Sequence, residues 1–310
     1  MAESGSGRDE ERGAETQPGA LPPLPTLKES IHKHGLDAKK SLGQHFLLDP
    51  SVCERIARLG GDLHGRHVVE IGPGPGGLTR ALLASPALDV HAVEIDSRAW
   101  PLLEELALHA PDRLKIVRQD ALELDATQLT PGPRQIIANL PYNVATPLLI
   151  SWLRQGADWE RLVLMFQKEV AERVCAAPGS SAYGRLAVLA QWCADCSIAM
   201  VLPPGAFSPP PKVHSAVAVL RPHAQQPSPA LFKAMEQVTA AAFGQRRKML
   251  RAAMKPLGGE DLLGAAGIEG TRRAETLSIA EFARLAECHL ARKQAGQKSS
   301  SPLEGQGQGH

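Results

Sequence analysis

The segment Asn139-Leu140-Pro141-Tyr142 has the clearest chemical content in this chain. It follows a short apolar run, Gln135-Ile136-Ile137-Ala138, which reads as a buried strand. A strand that ends this way presents a carboxamide, the main-chain carbonyl of Leu140 and an aromatic face at one sheet edge. An unstacked adenine needs those three groups: two acceptors for its exocyclic amino hydrogens and a ring to stack on. Pro and Asn also favour ordinary turns for conformational reasons, so the segment has to be read with the rest of the chain.

A glycine loop, Gly72-Pro73-Gly74-Pro75-Gly76-Gly77, follows the apolar run His67–Ile71. Gly72, Gly74 and Gly77 satisfy the dinucleotide fingerprint, and Glu94 closes the next apolar run, where an acid could hold ribose hydroxyls. A nicotinamide enzyme is therefore one reading. Pro73 and Pro75, however, take two backbone N–H groups out of the loop. A pyrophosphate needs such donors. A cofactor with ribose and adenine but no phosphate does not, and S-adenosylmethionine is such a molecule. Asp120, just after Leu114–Val117, can accept from the amino group of a cofactor adenine. Glu94 and Asp120 would then grip opposite ends of an adenosine. Glu94 interrupts a buried run, which costs energy unless the carboxylate has partners.

These groups need a frame. Strands are expected at His67–Ile71, Asp89–Ile95, Leu114–Val117, Gln135–Ala138 and Arg161–Phe166. Helices are expected over Gly76–Leu83, Arg98–His109 and Pro147–Gln155, the last with Pro near its first turn. This alternation, with near-continuous apolar strands, argues a parallel, doubly wound α/β sheet. Ser197–Val201 and Ser215–Leu220 read as a closing antiparallel pair, and Leu189–Trp192 as strand. Pro222–Pro229 reads as a linker. Helical patterns follow at Ala230–Phe243, Arg246–Met254, Leu262–Ala266 and Ile279–Ala291. The expected division is a disordered tail over 1–34, a catalytic domain over 35–224, a small all-helical domain over 225–292 and a disordered tail over 293–310.

The 310 residues are 43% hydrophobic and carry a net charge of +1, so any nucleic-acid contact must use local patches. Five acids fall within the first 20 residues against two arginines, which leaves the remainder at about +4. Arg246, Arg247, Lys248, Arg251 and Lys255 occur with no acid between Phe243 and Lys255. On one continuous helix, 247, 251 and 255 would share a face. Lys39, Lys40, Arg185 and Lys212 join them as candidate phosphate contacts around the cleft entrance. No run of 18 apolar residues suggests a membrane span, and the start lacks signal-peptide patterning, so a cytoplasmic protein is expected. Nothing suggests a dedicated apolar interface, so a monomer is expected. The five scattered cysteines suit a reducing compartment. Cys193-Ala-Asp-Cys196 has no second pair with which to hold zinc, and we read it as buried thiols with no metal.

With the glycine loop, both acids and Asn139–Tyr142 in order, the chain resembles class I S-adenosylmethionine-dependent methyltransferases acting on adenine. More narrowly, it resembles the KsgA (RsmA) family of ribosomal RNA adenine dimethyltransferases over roughly residues 38–292. Lys40–Leu47, Gln167–Arg173, Tyr183–Leu186, Phe207–Ser215 and Phe243–Leu250 carry the likeness besides the motifs above. The resemblance implies a Rossmann-like fold with a helical C-terminal part. It implies two-step methylation of adenine amino groups, with S-adenosylmethionine as cofactor and an immature small ribosomal subunit as partner. By the same likeness His45 and Leu47 would cover the methionine part of the cofactor, Gly72 and Gly74 would approach it through backbone, and Glu94 and Asp120 would hold its ribose and adenine. Asn139 would touch cofactor and substrate, while Tyr142 and Phe207 would pack on the target base. The family commonly has Asn at the His45 position. Rival readings are a large-subunit RNA dimethyltransferase of the macrolide-resistance type, a DNA adenine methyltransferase, and a nonenzymatic assembly or transcription factor on the same fold.

Overall fold

The computed structural model describes residues 25–36, 38, 44–245 and 247–300. The chain enters through helix α1 (Leu27–His34). Composition alone places this stretch in a disordered tail; local chemistry overrides it. Thr26 and Glu29 form a reciprocal capping box, and Gly35 closes the helix at φ 61°. Lys33 and His34 both reach Glu105, at 2.7 and 2.8 Å, and Arg80 donates to the Pro25 carbonyl and the Ser30 hydroxyl.

Strand β1 (Phe46–Leu47) and helix α2 (Pro50–Arg58) lead to β2 (His67–Ile71). Then come α3 (Gly77–Leu83), β3 (Asp89–Val93), α4 (Trp100–Leu108), β4 (Leu114–Val117), β5 (Arg134–Asn139), α5 (Ala145–Gln155) and β6 (Arg161–Gln167). Helices α6 (Lys168–Val174) and α7 (Arg185–Cys193) precede β7 (Ala194–Leu202), β8 (Phe207–Ser208) and β9 (Ser215–Pro222). The expected strand at Leu189–Trp192 is thus the end of α7. A short apolar run does not distinguish strand from buried helix, and here the strand starts only at Ala194.

The main sheet has seven strands in the order β4-β3-β2-β5-β6-β9-β7. β2 to β6 run parallel, and β9 lies antiparallel to both β6 and β7. Strand order reverses at β2, which has β3 on one side and β5 on the other. Ligands in open α/β sheets bind outside the carboxyl ends at such a point. Ile136, Ile137, Ala138 and all residues from Leu162 to Phe166 are inaccessible, as expected of central strands covered on both faces.

The C-terminal part comprises α8 (Pro229–Gly244), α9 (Leu250–Ala253), α10 (Gly259–Ala265) and α11 (Ile279–Ser300). It shares its core with the sheet. One apolar cluster joins Val69 and Ile136 to Phe232, Met235, Phe282 and Leu285. The segment expected as a free linker is anchored, with the Gln226 amide donating to the carbonyls of Cys193 and His223 at 2.9 and 2.7 Å. The expected helix over Arg246–Met254 is reduced to α9. Arg247 and Lys248 lie in a turn, Lys255 opens a 3-10 turn, and Arg246 falls outside the described residues. α11 also runs on to Ser300, past the expected tail boundary at 293.

Candidate active site

The carboxyl ends of β2, β3 and β5 and the turn after β4 frame a cavity of about 230 Å³. Its walls hold His45, Leu47, Gly72, Gly74, Glu94, Asp120, Asn139, Leu140 and Tyr142. Nine candidate residues, spread over almost a hundred positions, are thereby brought together. The crevice is open, and Asn139 faces the same space as Gly72.

The glycine loop is shaped by close approach. Gly74 has φ 53°, and a Cβ there would lie 3.2 Å from the Phe46 ring. A Cβ on Gly77 would lie 2.5 Å from the Leu47 carbonyl oxygen. The loop therefore lies directly against the Phe46–Leu47 strand. Glu94 is 5% exposed and is held from two sides. The Gly74 N–H donates to its Oε2 at 3.0 Å and the Asp96 N–H to its Oε1 at 2.8 Å. Burial raises its pKa above the ordinary carboxylate value, and these two backbone bonds oppose the rise. Asp120 is half-buried, and its Oδ1 accepts from the Leu122 N–H at 2.9 Å.

Asn139 ends β5, and its Nδ2 donates to the His45 carbonyl at 3.2 Å. With nitrogen so used, Oδ1 is the amide atom left to accept from a ligand. Tyr142 is pinned at both ends. Its hydroxyl pairs with Ser215 Oγ at 2.7 Å, and its ring packs on the His45 imidazole at 5.5 Å between centroids, tilted by 32°. His45 Nδ1 lies 2.8 Å from the Pro209 carbonyl, tying the start of β1 to the Pro-rich segment.

Phe207 departs from expectation. It is 5% exposed, pairs with Leu47 across the β1–β8 ribbon and does not line the cavity. Pairing of the two strands turns its ring into the cluster that holds Leu47, Leu202 and Val217. In this structure Phe207 supports the strand that covers the loop instead of standing over the cavity.

Of the expected RNA contacts, Arg185, Lys212, Arg247, Lys248 and Arg251 are exposed, while Lys39, Lys40 and Arg246 lie outside the described residues. Arg185 Nη2 lies 3.3 Å from Glu236 Oε1, an oxygen it shares with Arg154. Cys193 and Cys196 are free thiols. Burial pushes Cys193 up to about 12 and Cys196 upward as well, so neither is poised as a thiolate.

Several participants escape motif reading. Glu70 lines the cavity from inside β2, where burial pushes its carboxyl up to about 8. Its signal in sequence is an acid inside an apolar strand. Gln44 lines the cavity, Asp96 and Ser215 bond to the cavity residues Glu94 and Tyr142, and Arg98 bonds to Gln44 and Asp96. Gln44 and Ser215 fall within the Lys40–Leu47 and Phe207–Ser215 segments, while Asp96 and Arg98 lie in none of those that carry the likeness. His67, Asp89 and His91 converge at the opposite, amino-terminal end of the strands. There Lys115 Nζ sits 3.0 Å from Asp89 Oδ2 and supplies that carboxylate with a cation.

Comparison with known proteins agrees with this geometry. The family described as Ribosomal RNA adenine dimethylase matches residues 35–290. A Gluconobacter oxydans protein named Ribosomal RNA small subunit methyltransferase A is 76% identical over 268 residues, covering 86% of this chain and 88% of the relative. The protein of that name from Sinorhizobium medicae is 55% identical, covering 87% and 99%. Among solved structures, a dimethyladenosine transferase from Plasmodium falciparum superposes with TM-score 0.66 at 25% identity, covering 78% of this chain and 96% of that one. The 23S rRNA methyltransferase ErmE superposes with TM-score 0.61 at 26% identity, covering 78% and 98%. An α/β sheet carrying a methyltransferase-type cleft, a family match over most of its length and relatives this similar lead to one conclusion: the chain is a methyltransferase and belongs to the ribosomal RNA adenine dimethylase family.

Proposed function

We propose that this chain transfers methyl groups from S-adenosylmethionine to the exocyclic amino groups of two adjacent adenines in small-subunit ribosomal RNA. The observation that carries the reading is the Asn139 carboxamide. Its nitrogen is engaged by the His45 carbonyl, which orients the amide and fixes the direction of its oxygen acceptor, beside Tyr142 and in the cavity that Glu94 and Asp120 line.

The cavity suits a phosphate-free adenosine. Two prolines interrupt the loop, and the Gly74 N–H between them is already spent on Glu94. A pyrophosphate would find few donors there. Glu94 and Asp120 offer carboxylate acceptors for ribose hydroxyls and for an adenine amino group. Leu47 and His45 would cover the methionine end. Bound there, S-adenosylmethionine supplies an electrophilic methyl on a sulfonium.

The target nitrogen is a weak nucleophile because its lone pair conjugates with the ring. The Asn139 oxygen and the Leu140 carbonyl accept its two N–H bonds, draw it toward tetrahedral geometry and aim its lone pair. This is positioning and preorganised electrostatics, with no covalent intermediate on the protein. The methylated cation is acidic enough to release its proton to solvent. Tyr142, locked by Ser215 and His45, offers a rigid face for the extruded base.

The names of the relatives support the small-subunit substrate at 76% and 55% identity, against 26% for the large-subunit enzyme ErmE. Among the described residues no helix is long and apolar enough to cross a membrane. A cytoplasmic monomer acting on an immature small subunit is the setting we propose. Incubation with labelled S-adenosylmethionine and immature small subunits, followed by RNA digestion, should yield dimethyladenosine. Label confined to large-subunit RNA or to DNA would replace this substrate with another, and no label on any of the three would reject the reading.

A further inference from the structure

We propose that Gln44, Asp96 and Arg98 form a clasp that holds the Gln44–Leu47 strap across the cleft, and that the clasp acts on catalysis through His45 and Asn139. The inference rests on the proposed methyl transfer and names positioning residues for it.

Gln44 bridges two partners with both ends of its amide. Nε2 donates to Asp96 Oδ2 at 2.8 Å, and Oε1 accepts from Arg98 Nη2 at 3.2 Å. Asp96 and Arg98 are joined in turn by a fork, with Arg98 Nε donating to Oδ1 at 3.0 Å and Nη2 to Oδ2. The three side chains thus close a ring of charge-assisted bonds. Asp96 is 8% exposed, and although burial pushes its pKa up, Arg98 and Gln44 outweigh that and hold it below the ordinary carboxylate value. The Asp96 N–H donates to Glu94, so the clasp is anchored on the acid proposed to bind ribose.

On the other side of Gln44, the His45 carbonyl accepts from Asn139, and Phe46 lies against Gly74. A chain of contacts therefore runs from Arg98 through the strap to the Asn139 amide. Opening the clasp frees the strap at one end. That would speed cofactor escape and loosen the amide that must aim the target nitrogen. Gln44 and Arg98 are half-buried and lie outside the apolar clusters, whereas Asp96 is buried, so loss of Gln44 should leave global stability nearly intact and loss of Arg98 should lower it.

The test uses the full-length protein and its Gln44→Ala, Arg98→Ala and Arg98→Lys variants, plus the Gln44→Ala/Arg98→Ala double variant. Cofactor dissociation is followed by stopped-flow displacement of S-adenosylmethionine, read through Trp100, whose Nε1 donates to the Glu94 carbonyl at 3.2 Å. Each alanine variant should dissociate about tenfold faster, which corresponds to about 1.4 kcal/mol. The double variant should be no faster than either single one, because the two side chains act through one device. Arg98→Lys should fall between wild type and Arg98→Ala, since an ammonium keeps the charge and loses the fork. The melting temperature of Gln44→Ala should stay within about 2 °C of wild type, since it removes a half-buried neutral side chain. Arg98→Ala, which leaves the buried Asp96 without its cation, should melt lower, and Arg98→Lys should recover part of that loss. In RNA assays kcat should fall while the KM for RNA stays unchanged. Unaltered dissociation rates, or effects that simply add in the double variant, would overturn the clasp. Because dissociation is measured without RNA, the clasp can fail while methyl transfer stands, and a wild type that binds cofactor but methylates no RNA would defeat the proposed function alone.

Discussion

Asn139 and His45 are 94 positions apart in sequence, yet the Asn139 amide nitrogen donates to the His45 carbonyl at 3.2 Å. This bond fixes the orientation of the carboxamide and with it the direction of its one acceptor, Oδ1. It also couples the last residue of β5 to the strap that precedes β2.

Replacing Asn139 with Ala should lower single-turnover methylation by about 10²-fold or more, the scale of losing one preorganised polar group. Cofactor affinity should fall only modestly, because Glu94 and Asp120 remain. Equilibrium binding and rapid-quench kinetics on the same variant separate the two effects. Equal losses in both would make Asn139 a binding residue.

Ser215 is inaccessible, and its hydroxyl meets that of Tyr142 at 2.7 Å. Ser215→Ala should cost about 1–2 kcal/mol in urea unfolding, the cost of stranding a partly buried hydroxyl. It should also raise the KM for RNA by loosening the stacking face. Tyr142→Phe strands the inaccessible Ser215 hydroxyl instead and should cost at least as much stability. Its effect on KM should be comparable, since it breaks the same bond and keeps the ring packed on His45.

Gly77→Ala tests the packing of loop on strap. The new methyl would lie 2.5 Å from the Leu47 carbonyl oxygen, a backbone atom that cannot swing aside. A destabilisation of about 1–3 kcal/mol is expected from overpacking of this kind. Calorimetry would record it, and titration should show weakened cofactor binding, because β1 must shift away from the loop.

Glu70 is fully buried, and burial pushes its carboxyl up to about 8, opposed by the nearby Thr79 hydroxyl and aided by the charge of Glu94. The folded state therefore holds this proton more tightly than the unfolded chain does. The stability it contributes is fully present below about pH 4.5 and is lost as pH rises toward 8. Glu70→Gln, which stays neutral, should flatten that part of the profile and stabilise the protein at pH 8 on the order of 2 kcal/mol. Melting curves from pH 4 to 9 decide it, and parallel profiles for variant and wild type would contradict the assignment.

Arg247, Lys248 and Arg251 are exposed around the start of α9. Changing all three to Ala should weaken RNA binding and flatten its salt dependence by about two to three in log–log slope. Cofactor affinity should not change. Point variants are the right tool, because α8 and α11 complete the core on which the sheet rests and their removal would expose it.

The order of strands and helices around the cleft was legible in the sequence because its causes are local or periodic. Apolar runs mark the central strands, and Gly72–Gly77 and Asn139–Tyr142 fall at strand ends by adjacency alone. The same local logic misread α1, whose capping box outweighs a polar composition, and α7, whose apolar run is too short to declare its period. Other features depended on contacts between distant segments. Phe207 is a core residue because β8 pairs with β1. The basic run Arg247–Lys255 forms no single helical face because Leu250 and Arg251 bond through their backbones to Arg272 and Gly270. The direction of the Asn139 amide belongs to the same class. A sequence states which groups a residue carries, but hydrogen bonds between segments decide which of those groups remain available to a ligand.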